Sequence, residues 1–242
     1  MKSILKRPLS FAKALLDVVL PPVCYVCRKS CTSAYGLCDN CFGRVKRIYP
    51  PCCPRCGKRV SMSEKACADC KKNMPLTEKG WASCYYEDTI RECIHLFKYG
   101  HYLGLRDVFR DIMVDFARKN RIDSHVNVIV PVPIHGAKKR ERSYNHAEIL
   151  ARPLAQALSL PLDVRNLKKI KWTVPQSELD KNERMQNVKN AFFVVDKKAF
   201  SGKNVLIIDD IYTTGATITE CTKALLEANA CRVYSYTLAR GK

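Results

Sequence analysis

The stretch Val205-Leu206-Ile207-Ile208-Asp209-Asp210-Ile211-Tyr212-Thr213-Thr214-Gly215-Ala216-Thr217 decides the fold. Four consecutive apolar residues read as a strand buried on both faces. Two carboxylates stand where that strand emerges, a loop of hydroxyl residues and glycine follows, and a helix is expected over 217–227. In open α/β sheets this carboxyl edge is where ligands bind. Loop amides and a helix N-terminus favour phosphate, Thr hydroxyls add donors, and Gly215 lets the backbone approach closely. The paired Asp209 and Asp210 suit a sugar diol, bare or carrying Mg2+. These residue types in this order predict one site that reads sugar and phosphate together.

Around it, short runs at 81–86, 126–130, 192–195 and 233–238 read as strands, and 89–98, 103–119 and 145–158 read as helices. Strands alternating with helices argue for a parallel sheet covered on both faces, placed over residues 79–242.

In front of that region lies an internal repeat. Cys24-x2-Cys27-x10-Cys38-x2-Cys41 recurs as Cys53-x2-Cys56-x10-Cys67-x2-Cys70, each ligand displaced by 29 residues. A Cys-x2-Cys knuckle presents two sulfurs to one metal, and two knuckles complete a closed tetrahedral zinc site without an open position for chemistry. Two structural zinc ions are therefore expected within residues 21–78. Sequential pairing is simplest, though a ten-residue gap leaves an interleaved pairing open. Cys31 and Cys52 fall outside the repeat. Ten of the fourteen cysteines lie between residues 24 and 70, and metal explains such crowding better than disulfides in a chain without an export signal.

That last condition rests on the N-terminus. Lys2, Lys6 and Arg7 precede an apolar stretch at 11–20, as in a signal peptide, but Lys13 and Asp17 interrupt it and no small-residue cleavage site follows. An amphipathic helix over 1–20 is expected instead. No apolar run is long enough to cross a bilayer, and a cytoplasmic protein is expected.

The formal net charge is +19. Residues 1–80 hold 16 Lys and Arg against 5 Asp and Glu. Two four-thiolate zinc sites, each of net charge about −2, leave that segment basic. A basic module suits phosphate-rich partners, nucleic acid first among them.

The 205–217 stretch resembles the motif by which type I phosphoribosyltransferases bind phosphoribosyl pyrophosphate (PRPP). The likeness implies Asp209 and Asp210 at the ribose hydroxyls, and Thr213, Thr214, Gly215 and Thr217 around the 5′-phosphate. Two further segments are similar to the ComF family of competence-associated proteins. Val130-Pro131-Val132-Pro133-Ile134-His135, with Arg140, Arg142 and Tyr144-Asn145-His146, resembles that family's pyrophosphate-side loop. Pro175-Gln176 through Glu183-Arg184, Asn187-Val188 and Ala191-Phe192 resembles its mobile loop, and Lys98-Tyr99-Gly100 and the double zinc module match as well. Ser143 stands where the family usually has Gly, and His146 where it usually has Gln.

The resemblance implies a type I phosphoribosyltransferase-like domain behind a double zinc ribbon, with magnesium and PRPP as ligands. It also implies a part in handling incoming single-stranded DNA during natural transformation, alongside other proteins of the uptake machinery. Transfer from PRPP expels pyrophosphate through an oxocarbenium-like state, so cations are needed around the leaving group in a closed, dry site. Arg140 and Arg142 are candidates for that role, and Arg184 for a lid residue. His135 and His146 read as loop or packing residues. Two expectations stand: a transferase with an unidentified acceptor, or a PRPP-sensing or DNA- and protein-binding module that has kept the fold without turnover.

Overall fold

The structure is a computed structural model that describes residues 23–31, 36–100, 102–137, 144–173 and 180–241. The helix expected over 1–20 lies outside the described residues, as do Arg140 and Arg142.

The cysteine repeat is also a repeat in three dimensions. In the first unit the Cys24 N–H donates to the Lys29 carbonyl and the Arg28 N–H to the Cys24 carbonyl, both at 2.8 Å. In the second, Cys53 N–H to Lys58 O (2.6 Å) and Gly57 N–H to Cys53 O (2.9 Å) are the same two bonds 29 residues on. Each unit ends in one turn of helix, α1 (Asp39–Gly43) and α2 (Ala68–Lys72). The position after each first knuckle takes positive φ, 60° at Arg28 and 73° at Gly57. Only the second copy needs glycine for space as well, because a Cβ there would stand 2.8 Å from the Ala82 backbone nitrogen.

Ala82 belongs to β1 (Lys79–Tyr85), which opens the α/β part. There follow α3 (Asp88–Tyr99), α4 (Leu105–Lys119), β2 (Val128–Pro131), α5 (His146–Leu158), β3 (Leu167–Lys169), α6 (Lys181–Asn187), β4 (Phe192–Val194), β5 (Asn204–Tyr212), α7 (Ala216–Glu227) and β6 (Arg232–Arg240). β1, β6, β5 and β2 form, in that order, a four-stranded sheet, parallel throughout. The helices come from stripes of apolar residues at helical spacing. In α3 these are Ile90, Cys93, Ile94 and Phe97, and in α4 Leu105, Val108, Phe109, Ile112 and Met113, all buried.

Two outcomes differ from the sequence expectation. The strand read at 192–195 is not in the parallel sheet; β4 pairs antiparallel with β3 as a separate two-stranded ribbon. β3 itself, and the seven-residue α6, went unread because a three-residue Leu-Lys-Lys and a polar turn carry too little periodicity.

Successive residues of β5 serve opposite faces of the sheet. Leu206 and Ile208 pack with Phe97, Phe109, Ile112 and Leu150 from α3, α4 and α5. Val205 and Ile207 pack with Ile218, Cys221 and Leu225 of α7 and with the inner side of the ribbon at Leu167, Phe192 and Val194. The cysteine units divide the same way, Cys24 and Cys41 joining the first layer and Cys53, Cys56, Cys67 and Cys70 the second.

The segment between the units runs along the outer edge of β1. Ile48 N–H donates to Ser83 O (2.9 Å), Tyr85 N–H to Lys46 O (3.0 Å), and Gly80 N–H to Pro54 O (2.8 Å). These bonds satisfy backbone groups that an edge strand would otherwise leave open to pairing.

Candidate functional site

The eight repeat cysteines gather as two sets, Cys24, Cys27, Cys38 and Cys41, and Cys53, Cys56, Cys67 and Cys70, with the sulfurs of each set within 4.8 Å of one another. The pairing is therefore sequential. Cys27 and Cys38 sulfurs stand 3.7 Å apart, and Cys56 and Cys67 3.6 Å. A tetrahedron with metal–sulfur bonds of about 2.3 Å has edges of about 3.8 Å, so zinc fits this spacing.

The electrostatics agree. Burial raises the Cys24 thiol, but N–H groups of Cys27, Cys38 and Val26 outweigh it and bring the thiol down to about 6. Cys53 is brought to about 7 against burial in the same way, by N–H groups of Cys67, Arg55 and Cys56. Burial leads in pushing Cys41 and Cys56 up to about 12. Four such sulfurs cannot all ionise together without a cation among them.

Each set also has an arginine. Arg44 Nη2 donates to Cys41 Sγ at 3.0 Å on the surface. Arg240, at the end of β6, is only 3% exposed, and its charge acts to lower Cys56. Its Nε and Nη1 make no hydrogen bond among the described residues. A buried guanidinium with idle donors beside four neutral thiols would be costly; beside a dianionic zinc–thiolate centre it is a counter-ion.

The same guanidinium lies 4.9 Å from the ring centroid of Tyr212, the last residue of β5. Tyr212 in turn packs under Gly215, where a Cβ would come within 2.3 Å of its hydroxyl. Gly215 caps α7 with φ of 80°, so both backbone and space demand glycine here. The second zinc set thus underlies the loop that the sequence singled out.

In that loop Thr213 is exposed, Thr214 and Thr217 are half-buried, and the Ala216 N–H donates to Thr214 Oγ1 at 3.4 Å. The strand reading ended at Ile208, but β5 runs on to Tyr212 and carries both carboxylates within it. Strand alternation sends them to opposite sides. Asp210 turns toward α3, where Lys98 Nζ reaches both of its oxygens at 2.8 Å. Asp209 accepts the Asp210 N–H at 2.9 Å and faces the α7 and ribbon side, where Lys169 and Cys221 sense its charge. Burial first, then the neighbouring Asp210 charge, raises the Asp209 carboxyl to about 7, with Lys98 and Lys169 pulling it down.

Sequence reading missed the roles of Lys98, Lys169, Tyr212 and Arg240. Lys98 was visible only as part of a motif, and the other three carry no local signal. Arg184 lies half-buried on α6, its N–H bonded to Asp180 O at 3.0 Å. His135 packs edge-on to Trp172, and His146 sits between the rings of Phe97 and Tyr144. Two cavities of about 770 and 240 Å3 border the cysteine units, and no residue of 205–217 lines either.

The sequence matches the Double zinc ribbon domain family over residues 15–71 and the Phosphoribosyl transferase domain family over residues 144–242. It is 30% identical to "Competence protein ComFC" of Bacillus subtilis over 210 residues, 84% of each chain. The chain belongs to the ComF family. Other members include "Competence protein F" of Haemophilus influenzae, 29% identical over 85% of this chain and 90% of that one. "DNA utilization protein YhgH" of Escherichia coli K12 is 26% identical over 92% of this chain and 99% of that one. A crystal structure of adenine phosphoribosyltransferase superposes with a TM-score of 0.37 at 16% identity, over 62% of this chain and 75% of that one. That match is too loose to add to the ComF assignment. Among the described residues of this ComF chain, no helix is long and apolar enough to cross a membrane.

Three outcomes are expected. Arg240→Met should loosen the second zinc ion by roughly 10–100-fold in chelator competition, with the first site as internal control. Lys98→Met, which strands a mostly buried carboxylate, should cost roughly 2–3 kcal/mol in denaturant unfolding, and adding Asp210→Asn should recover most of that loss. Asp209 keeps its proton in the folded state to about pH 7 and loses it near pH 4 when unfolded. Wild-type stability therefore falls, relative to Asp209→Asn, as pH rises from about 4 to 7. The melting-temperature difference should shift in the variant's favour between pH 5.5 and 8.

Proposed function

We propose that this ComF protein binds Mg2+-PRPP at the carboxyl edge of β5 and handles single-stranded DNA entering the cell. One observation carries the first half. An acid pair, a glycine-capped loop and the N-terminus of the twelve-residue α7 converge on one edge of the sheet, with the half-buried Lys98 and Lys169 behind them.

On this reading Asp209 and Asp210 receive the ribose hydroxyls. Lys98 holds the Asp210 carboxylate in one orientation and cancels its charge, so that neither acid repels the ligand's phosphates. Thr213, Thr214 and Thr217 donate to the 5′-phosphate, and Gly215 lets the loop amides reach it. Magnesium would enter with the pyrophosphate and neutralise it. Arg140, Arg142 and Arg184 are assigned to the leaving-group side and the lid. The names of the relatives support the second half, since competence proteins and a DNA utilization protein match this chain over most of its length. The basic composition supplies the physical reason.

Calorimetric titration of Mg2+-PRPP tests the site. Wild-type protein should bind with measurable heat, and Asp209→Asn/Asp210→Asn should bind at least tenfold more weakly. Pyrophosphate release in the presence of candidate acceptors then separates a transferase from a PRPP-sensing module. A wild-type protein showing neither heat nor thermal shift would remove the PRPP reading.

A further inference from the structure

The β3–β4 ribbon lies on the second face of the sheet, and its two sides differ in an unexpected way. The inner side, Leu167, Phe192 and Val194, is buried against the core. An outer side facing water would ordinarily alternate to polar residues. Here it carries Ile170, Trp172, Phe193 and Val195, which are 60%, 54%, 51% and 60% exposed. Lys168 stands directly across from Phe193 in the ladder, so cation and aromatic ring share that face. Ile170 N–H to Ala191 O and Val195 N–H to Asn166 O continue the pairing on either side. The strip ends at Trp172, which meets His135 in the segment leaving β2, beside the carboxyl edge.

Charge tells which partner suits this face. Residues 165–173 and 189–198 include seven Lys or Arg and a single acid, Asp196. Arg165, Lys168, Lys171, Lys189, Lys197 and Lys198 are all exposed. A protein partner's apolar patch would gain nothing from so many exposed cations. Exposed aromatic rings set among lysines match a strand whose backbone is anionic and whose bases are free to stack. A duplex fits less well, because its base faces are already covered.

Resting on the DNA-handling reading above, we propose that the outer face of the β3–β4 ribbon is a binding site for single-stranded nucleic acid. Trp172 and Phe193 are its stacking platforms, Lys168 is the phosphate contact on the same face, and the exposed Lys171 is a second one at its margin. The strand so held runs past the mouth of the proposed PRPP site.

The chain has two tryptophans, and Trp81 is buried against Tyr234, so quenching by an added strand reports mainly on the exposed Trp172. The test is titration of an oligo-dT strand into the full zinc-loaded protein, followed by the exposed-residue variants Trp172→Ala, Phe193→Ala and Lys168→Gln/Lys171→Gln. Saturable quenching is expected in wild type, weaker with a duplex of matched length. Each aromatic variant, read by fluorescence anisotropy of a labelled strand, should bind roughly tenfold more weakly. The double lysine variant should flatten the salt dependence by roughly 0.7 per lost contact. Calorimetry with Mg2+-PRPP should be unchanged in all three variants, which would show that they fold.

Two results would overturn the assignment while leaving the DNA reading in place. In one, the strand binds wild type and all variants alike; in the other, the aromatic variants turn a dimer into a monomer without changing DNA affinity, making the face a contact between copies of this chain. Failure of wild type to bind the strand at low salt would remove the ribbon site and the DNA reading together.

Discussion

A strand buried on both faces must send every second side chain into each layer, and here that rule meets two adjacent acids. Asp209 and Asp210 leave β5 on opposite sides, so the one lysine that grips Asp210 acts on Asp209 only through space. The fold answers them unequally, with Lys98 on α3 paired directly to Asp210 and acting at longer range on Asp209, where Lys169 on the ribbon adds to it. A helix early in the chain and a ribbon late in it are thereby tied to the same two residues. The electrostatic character of the site follows from how unequal these partners are: Asp210 is gripped through both oxygens, whereas Asp209 is raised by burial and has no direct lysine contact among the described residues.

The cysteine units are part of the same structure and not an appendage to it. The segment joining them covers the edge of β1, and their sulfurs pack into both hydrophobic layers. A segment so poor in large apolar residues draws its folding energy largely from metal. Through Arg240 and Tyr212 the second cysteine set is linked to Gly215, which caps α7. Zinc is thus structural in a wider sense than holding two knuckles shut, because the cation balancing its thiolates also lies against the loop's supporting ring.

The large positive charge is spread over the molecule and gains meaning only where other features coincide with it. Around the acid pair, the lysines are half-buried, and Lys98 is committed to Asp210 by direct contact. On the ribbon they are exposed and interleaved with rings. The same residue type therefore has two physical roles in one chain, set by burial: fixed partners of carboxylates inside, and screened, mobile charges outside.

Much of this was legible without coordinates. The apolar run at 205–208 and the short polar stretch behind it defined a buried strand and a turn into a helix, because those signals are local in sequence. The 29-residue cysteine repeat defined two zinc units in the same way. Tertiary structure alone decided that the pairing was sequential, that the acids faced apart, and that Lys98, Lys169 and Arg240 were their and the thiolates' counter-charges. It also moved the 192–194 strand from the sheet to a ribbon and exposed that ribbon's apolar side. The physical reason is common to all of these. Backbone conformation is written in neighbouring residues, whereas the partner of a buried charge is whichever side chain the packing brings within reach, here 112 residues away for Lys98 and Asp210.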